Sequence, residues 1–519
     1  MKVKQVLIII FALIVASYIG YNFGVNRTGS FKDVLESNEE HHSPPSVVIE
    51  PGSAVEAASY IIFHDDEGFV YAKSGDTGEI VNSDTDAATV INWAIQQLTD
   101  GGKIFIKTGV YDLTGYGPIV IEKDFITLEG EVADMTRFST SQNGTVIIRE
   151  DGDVIQLEDT PEMKPGRMYL GHVRILNIKF IGSPSGGHGI TSHTLDDDHL
   201  TYHLEIGHCM FTGFTGTGKH ALNIKNAERL WIHDNEFRQC ESGGSQVKLY
   251  LTEYQGGNIV VERNEFYPNG DNQRCLEITT EGSEAWSHGL FQGNHYHGFS
   301  SHSTHGVLIN ASTARILEMH FIREVFERTD MLMVGNENGG HYVEECGVHN
   351  SGFILSSQKT NQVLINLTYT RACKIDGNYL YGNTEIDAGV IGIYTRGYHT
   401  SLPNLIKGNT FVGSFNKEVD FGGSSYHAIC RDNPGFKTES WGTATMSNGA
   451  SSVTFAHGLG GDLDLKPTHI SFSDSTGEVS SRGGHASMMN TTHVTISLYS
   501  GTLTAGDSTI YWYTEYNHE

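Results

Sequence analysis

At 519 residues the chain has room for two or three domains. With 34 basic against 62 acidic residues, a formal charge of −28, its surface repels nucleic acid and anionic lipid, so neither is a bulk partner. Its 60 glycines, 11 prolines and ordinary aromatic content describe a folded chain with many turns and not a disordered one. The first element is a targeting segment. Lys2 and Lys4 precede an apolar run from Val6 to Val25, which is just long enough to span a bilayer, with a poor small-x-small cleavage site at Ala16-Ser17-Tyr18. Both an uncleaved anchor and a cleaved signal fit, and either puts the body outside the cell, attached at the surface or secreted. Residues 26–56 hold prolines, serines and acids without an apolar period, as a linker does.

Ordered sequence begins near Ala57. In "SDTDAATVINWAIQQLTDGGKIFIKTGVYDL" (83–113), Ser83 and Asp86 suggest a capping box, and Val90, Ile91, Ala94, Ile95 and Leu98 form one apolar helix face. Gly101-Gly102 ends the helix. Strand and turn follow, then the paired strands of "IVIEKDFITLEGE" (119–131). This stretch resembles the N-terminal cap of the pectin-lyase-like superfamily of right-handed parallel β-helices, with D-x-x-A-I-x-x-A-I before G-G-x-I-x-I-x-x-G-x-Y. The resemblance covers about 50 residues. It is specific for the fold and does not settle function, since that superfamily holds lyases, glycoside hydrolases, epimerases, tailspikes and non-catalytic adhesins.

A repeat governs the middle. "LNIKF" (176–180), "GHCMF" (207–211), "HDNEF" (233–237), "ERNEF" (262–266), "QGNHY" (292–296), "DGNYL" (376–380) and "KGNTF" (407–411) recur at neighbouring intervals of 26 to 31 residues. Each period also holds a short β-rich run, such as "QVKLY" (246–250) or "CLEIT" (275–279), and none holds two helices. One period is therefore one coil of a parallel β-helix, with roughly ten coils between 103 and 440. The repeated Asn forms a ladder at one turn, and the aromatic two residues on stacks in the core. Between 296 and 376 the phrase fades. Residues 441–519 change texture to alternating strands about Ser-Asn-Gly turns, which predicts a small antiparallel β-sandwich. The fold class is thus all-β: a right-handed parallel β-helix (57–440) with a short N-terminal capping helix, plus the C-terminal sandwich. Six cysteines at 209, 240, 275, 346, 373 and 430 form no C-x-x-C pair; buried thiols and disulfides both fit.

The polygalacturonase-type order of N-x-D, D-D, G-H-G and R-x-K is not met, because "GGHGI" (186–190) precedes "DDD" (196–198). His188 reads as a rung of a turn ladder with His220 and His305. Aligning Leu222, Val247, Leu276 and Val307 as inward residues puts Asn223, Lys248 and Glu277 outward in one row and Lys225, Tyr250 and Thr279 in the next. Lys248, Lys225, Arg274, Glu277 and Tyr250 then form a polar patch. Crowded cations there would supply the base and the enolate stabilisation that a uronate lyase needs; the plainer reading is an exposed Lys248–Glu277 ion pair. Asp196, Asp197 and Asp198 lie among histidines in a loop and offer carboxylates suited to calcium. The five histidines of 288–306 read as turn ladders. On the superfamily resemblance alone, function reads as a polysaccharide lyase or glycoside hydrolase working in a groove along the helix, its partner a polysaccharide or surface glycan and its membrane contact the N-terminal segment. The alternative is a non-catalytic surface protein that binds glycans.

Overall fold

The computed structural model describes residues 58–515 apart from 136–142, 159–168, 193–199, 241–243, 253–255, 269–272, 299–304, 356–361, 383–388, 397–401, 421–427, 434–438, 457–468, 477–478, 480–484, 490–492, 500 and 505–506. The N-terminal segment, the linker and Asp196–Asp198 lie outside the described residues. Among the described residues no helix is long and apolar enough to cross a membrane.

Each coil lays one strand in each of three parallel sheets. In one coil these are Gly256–Glu262 in the first sheet, Glu265–Tyr267 in the second and Arg274–Thr280 in the third. The second and third sheets each hold eleven strands, one more than the expected ten coils. The chain is a right-handed parallel β-helix followed by two three-stranded antiparallel sheets from Glu439 to Glu515. Those two sheets enclose their own core of Met446, Val479, Val494, Ile496, Leu498, Leu503 and Ile510.

The cap follows from its sequence with one correction. Helix α1 (Ala87–Gln97) buries Val90, Ile91, Ala94 and Ile95, each worth about 1.5–3 kcal/mol if a Val or Ile. Its N-cap is Asp86 and not Ser83: the Asp86 carboxylate accepts from Ala88 N at 2.8 Å. Ser83 is occupied in the strand Ile80–Asp84, where it pairs with Tyr71. Three antiparallel strands between Tyr60 and Asp84 join the edge of the first sheet, through Tyr60–Ile62 beside Ile104–Ile106. They cover backbone that would otherwise be open for pairing.

The recurring phrase is a spine. Asn235 donates from N and Nδ2 to Asn264 Oδ1, at 3.0 Å each, and Asn264 does the same to Asn294 Oδ1 at 2.9 and 3.0 Å. Each second Nδ2 hydrogen reaches a main-chain carbonyl of the coil before, Ile206 and Ile232 respectively. The chain of bonds continues through Glu324, Ser351, Asn378, Asn409 and Asn433. Losing one buried amide would strand its partners at about 1–3 kcal/mol. The residue before each spine position takes positive φ, as at His208, Asp234, Arg263, Gly293, Arg323, Asn350 and Gly377. This left-handed corner turns the chain from the first sheet into the second. Two residues past each spine position, Phe211, Phe237, Phe266, Tyr296, Phe326 and Phe353 stack face to face with centroids 4.3–5.1 Å apart.

All six cysteines are buried free thiols. The coil spacing brings Cys209, Cys346 and Cys373 to bond main-chain carbonyls within the core.

Candidate active site

The third-sheet register is the one read from the sequence. Leu222 pairs with Val247, Val247 with Leu276 and Leu276 with Val307; Asn223, Lys248 and Glu277 align, as do Lys225, Tyr250 and Thr279. The structure brings Lys248, Tyr250, Arg274 and Glu277 onto adjacent rungs, with Lys225 beside Tyr250. The expected Lys248–Glu277 pair is not formed. Lys248 Nζ instead meets Glu281 Oε1 at 2.6 Å and lies 4.8 Å from the Tyr250 ring centre. Glu277 turns back to Arg274, 3.0 Å away, and accepts from Ser245 Oγ. Lys248 and Arg274 thus each sit against a carboxylate.

His188 and His220 stack 5.3 Å apart in a turn ladder as expected, and His305 sits in the same turn beside Asp330. Burial pushes the His188 imidazole down to about 4, assisted by His220. His288, His295 and His297 depart from that reading. His288 lies in the first sheet, and the other two lie on a second-sheet strand.

The densest chemistry lies on the outer face of the first sheet, which the sequence reading passed over. Each first-sheet strand bends at a residue with positive φ: His172, His203, Arg229, Asn258, His288, Glu318 and Glu345 in successive coils. Beyond the bend, two outward columns run along the helix. Arg174, Glu205, Trp231, Val260, Leu290, His320 and Gly347 form one; Gly207, His233, Glu262, Gln292, Ile322, His349 and Asp376 form the other.

At one end Trp231, 38% exposed, stacks on His233 with centroids 4.0 Å apart and donates from Nε1 to Glu262. The two ring nitrogens of His233 face Glu205 at 3.3 Å and Asp234 at 2.8 Å. Arg174 holds Glu205 through two nitrogens, and Arg263 holds Asp234 likewise. Burial pushes both carboxyls up, but these charged hydrogen bonds outweigh it and keep both below the usual range.

In the middle, Asn258, Val260, His288, Leu290, Glu318, His320 and Ile322 line a groove of about 390 Å³. His288 Nε2 meets Glu318 Oε2 at 2.7 Å. At the other end a hydrogen-bonded chain leads out of the groove. His320 Nδ1 lies 3.2 Å from His349 Nε2, and His349 Nδ1 is hydrogen-bonded to Asp376 Oδ1. A carboxylate accepts only, so Asp376 fixes the proton of His349 on Nδ1. His349 Nε2 then accepts from His320 Nδ1, which leaves the lone pair of His320 on Nε2. Burial, reinforced by His349, holds the His320 pKa below the ordinary imidazole value. Gly347 makes this possible: a Cβ there would stand 2.0 Å from His349 Nε2 and 2.9 Å from His320 Nδ1.

The signal for this face was in the phrase itself. The residues four and two before each spine position are the two outward columns: Trp231 and His233, then Val260 and Glu262, then Leu290 and Gln292. Asp196–Asp198, the expected calcium ligands, lie outside the described residues.

No protein-family model and no curated protein sequence matches the chain. Solved structures are similar in fold. The A-module of a mannuronan C-5 epimerase from Azotobacter vinelandii is 13% identical, with a TM-score of 0.42 over 67% of this chain and 95% of that one. DFA-IIIase from Arthrobacter chlorophenolicus A6 without its lid is 16% identical, with a TM-score of 0.43 over 64% and 87%. The tailspike of Pseudomonas phage phi297 is 10% identical, with a TM-score of 0.43 over 83% and 92%. At this identity and overlap none of them bears on chemistry, which rests on the chain's own residues.

Proposed function

We propose that the chain is a carbohydrate-active enzyme of the cell surface or its surroundings, with a glycan laid along the outer face of the first sheet. The reaction is a β-elimination: His320 Nε2 takes the proton next to a uronate carboxylate, a C=C bond forms as the C–O bond to the neighbouring sugar breaks, and the departing oxygen takes a proton from water. The Asp376–His349–His320 chain ending at the groove is the observation that carries this reading. It supplies a neutral imidazole whose free nitrogen is fixed in place and whose positive charge, once formed, is stabilised through His349 by a carboxylate. Trp231 offers an apolar platform for a sugar ring three rungs away, roughly 14 Å at the usual strand spacing. Hydrolysis is less well supported, since it needs two carboxyls flanking the bond. Among the described residues that line the groove, Glu318 is the carboxyl present, and it is held by His288.

The test is a panel of uronate polymers, read by the ultraviolet absorbance of unsaturated products. His320→Ala is expected to lower turnover by about 10²–10⁴-fold while leaving the fold unchanged. Glycan binding without any turnover, unaltered by His320→Ala, would overturn the enzymatic reading and leave a non-catalytic glycan binder.

A further inference from the structure

The geometry points to a divalent transition-metal site on the second sheet, formed by His295, His297 and Glu327 and distinct from the groove. His295 and His297 flank inward Tyr296 on one strand, so both side chains leave by the same outer face. Glu327 is the register partner of His297 on the next coil. The three groups therefore converge because of the β-helix and not by chance of a loop. Glu327 Oε2 lies 3.2 Å from His297 Nδ1 and 3.7 Å from His295 Nε2, and all three donor atoms fall within 4.8 Å of one another. Donors that share a tetrahedral zinc ion at 2.0–2.2 Å are separated by about 3.3–3.5 Å, so small side-chain rotations close the site.

One further observation favours an ion over a plain hydrogen bond: His295 Nε2, the nitrogen that faces Glu327, is shielded from solvent yet has no hydrogen-bond partner. The surroundings suit a cation. Glu265 lies within electrostatic reach of both histidines. Tyr267 stacks on the His297 ring at 4.1 Å and fixes its plane. Arg328 lies 3.2 Å from the other oxygen of Glu327 and orients the carboxylate.

Among the described residues a second gathering of donors, at His208, His233 and Asp234, is spent differently. Arg263 occupies both oxygens of Asp234, and both nitrogens of His233 face carboxylates. Two imidazoles and one carboxylate make a set for zinc, cobalt or nickel, not calcium, and leave a fourth position for water or a ligand.

Titration calorimetry of the metal-stripped full chain with zinc chloride tests this. The expected result is one strong equivalent per chain. His295→Ala, His297→Gln and Glu327→Gln should each weaken it by more than the roughly 10–100-fold that loss of an outer partner costs. His208→Ala should leave it intact. His297→Gln keeps bulk beneath Tyr267, and circular dichroism of each metal-free variant checks that it is folded. X-ray absorption at the zinc edge should give nitrogen and oxygen neighbours at about 2.0–2.2 Å. Absence of a stoichiometric site, or a site that survives all three substitutions in folded protein, would overturn the assignment. Loss of turnover in the groove without loss of zinc would leave it standing.

Discussion

Glu324 occupies a spine position that asparagine fills in the coils before it, and replacing it with glutamine should make the β-helix more resistant to alkali. The side chain is 1% exposed and accepts from Asn294 N and Nδ2 at 3.1–3.3 Å. Burial overrides those hydrogen bonds and pushes the carboxyl from 4.5 up to about 8. The folded state therefore holds the proton more tightly than the unfolded chain. The stabilising contribution is whole below about pH 4.5 and is lost as pH rises through about 8. A difference of about 3.5 pH units at 1.36 kcal/mol each gives a loss on the order of 5 kcal/mol, of which about 3 is already gone at pH 7. Glu324→Gln keeps the shape and has nothing to titrate. Guanidinium unfolding at pH 5, 7 and 9, followed by tryptophan fluorescence, should show similar midpoints at pH 5 and a widening advantage for the variant above it. A difference between the two proteins that stays constant across that range would refute the reasoning.

Asn264→Ala should cost about 1–3 kcal/mol, because it leaves the Asn235 N–H and a buried amide unpaired; the unfolding midpoint measures it. Gly347→Ala should lower uronate-polymer turnover as severely as loss of His349, by displacing that ring, with little change in melting temperature. Lys248→Ala should leave turnover and stability nearly unchanged, within about 1 kcal/mol, since its ion pair with Glu281 lies at the surface. Cell fractionation should find the protein with membranes or in the medium, its body open to external protease; recovery as a full-length soluble cytoplasmic protein would refute export.

The cap, the rung period and the third-sheet register were legible because inward residues obey a strict alternation there: Leu222, Val247, Leu276 and Val307 leave no second alignment that keeps the core apolar. The histidine chain beside the groove was not legible, for a specific reason. His320, His349 and Asp376 come together only when three coils are set in register. In that stretch the marker residue changes from Asn to Glu324 and then Ser351, so the phrase fades where it was needed. "REVF" (323–326) and "NSGF" (350–353) are the same corner with a different donor. Ion-pair choice was hidden too. Nothing in the spacing of Lys248, Glu277 and Glu281 says which carboxylate the flexible lysine reaches. The pairing of His295 and His297 could have been read, since His-x-His on a strand puts both rings on one face.

The change of residue at Glu324 and Ser351 also has a mechanical meaning. Asn235, Asn264, Asn378 and Asn409 each tie to the next coil by two hydrogen bonds, from the backbone and from the amide. Glu324 passes a single bond to Ser351 Oγ, and Ser351 N a single bond to Asn378. Along the spine these two adjacent joints, like that from Cys209 N to Asn235, carry one bond where the asparagine pairs carry two. The spine is thus thinned beside the coils that carry His320 and His349, and tension along the axis would load the sheet ladders more heavily there.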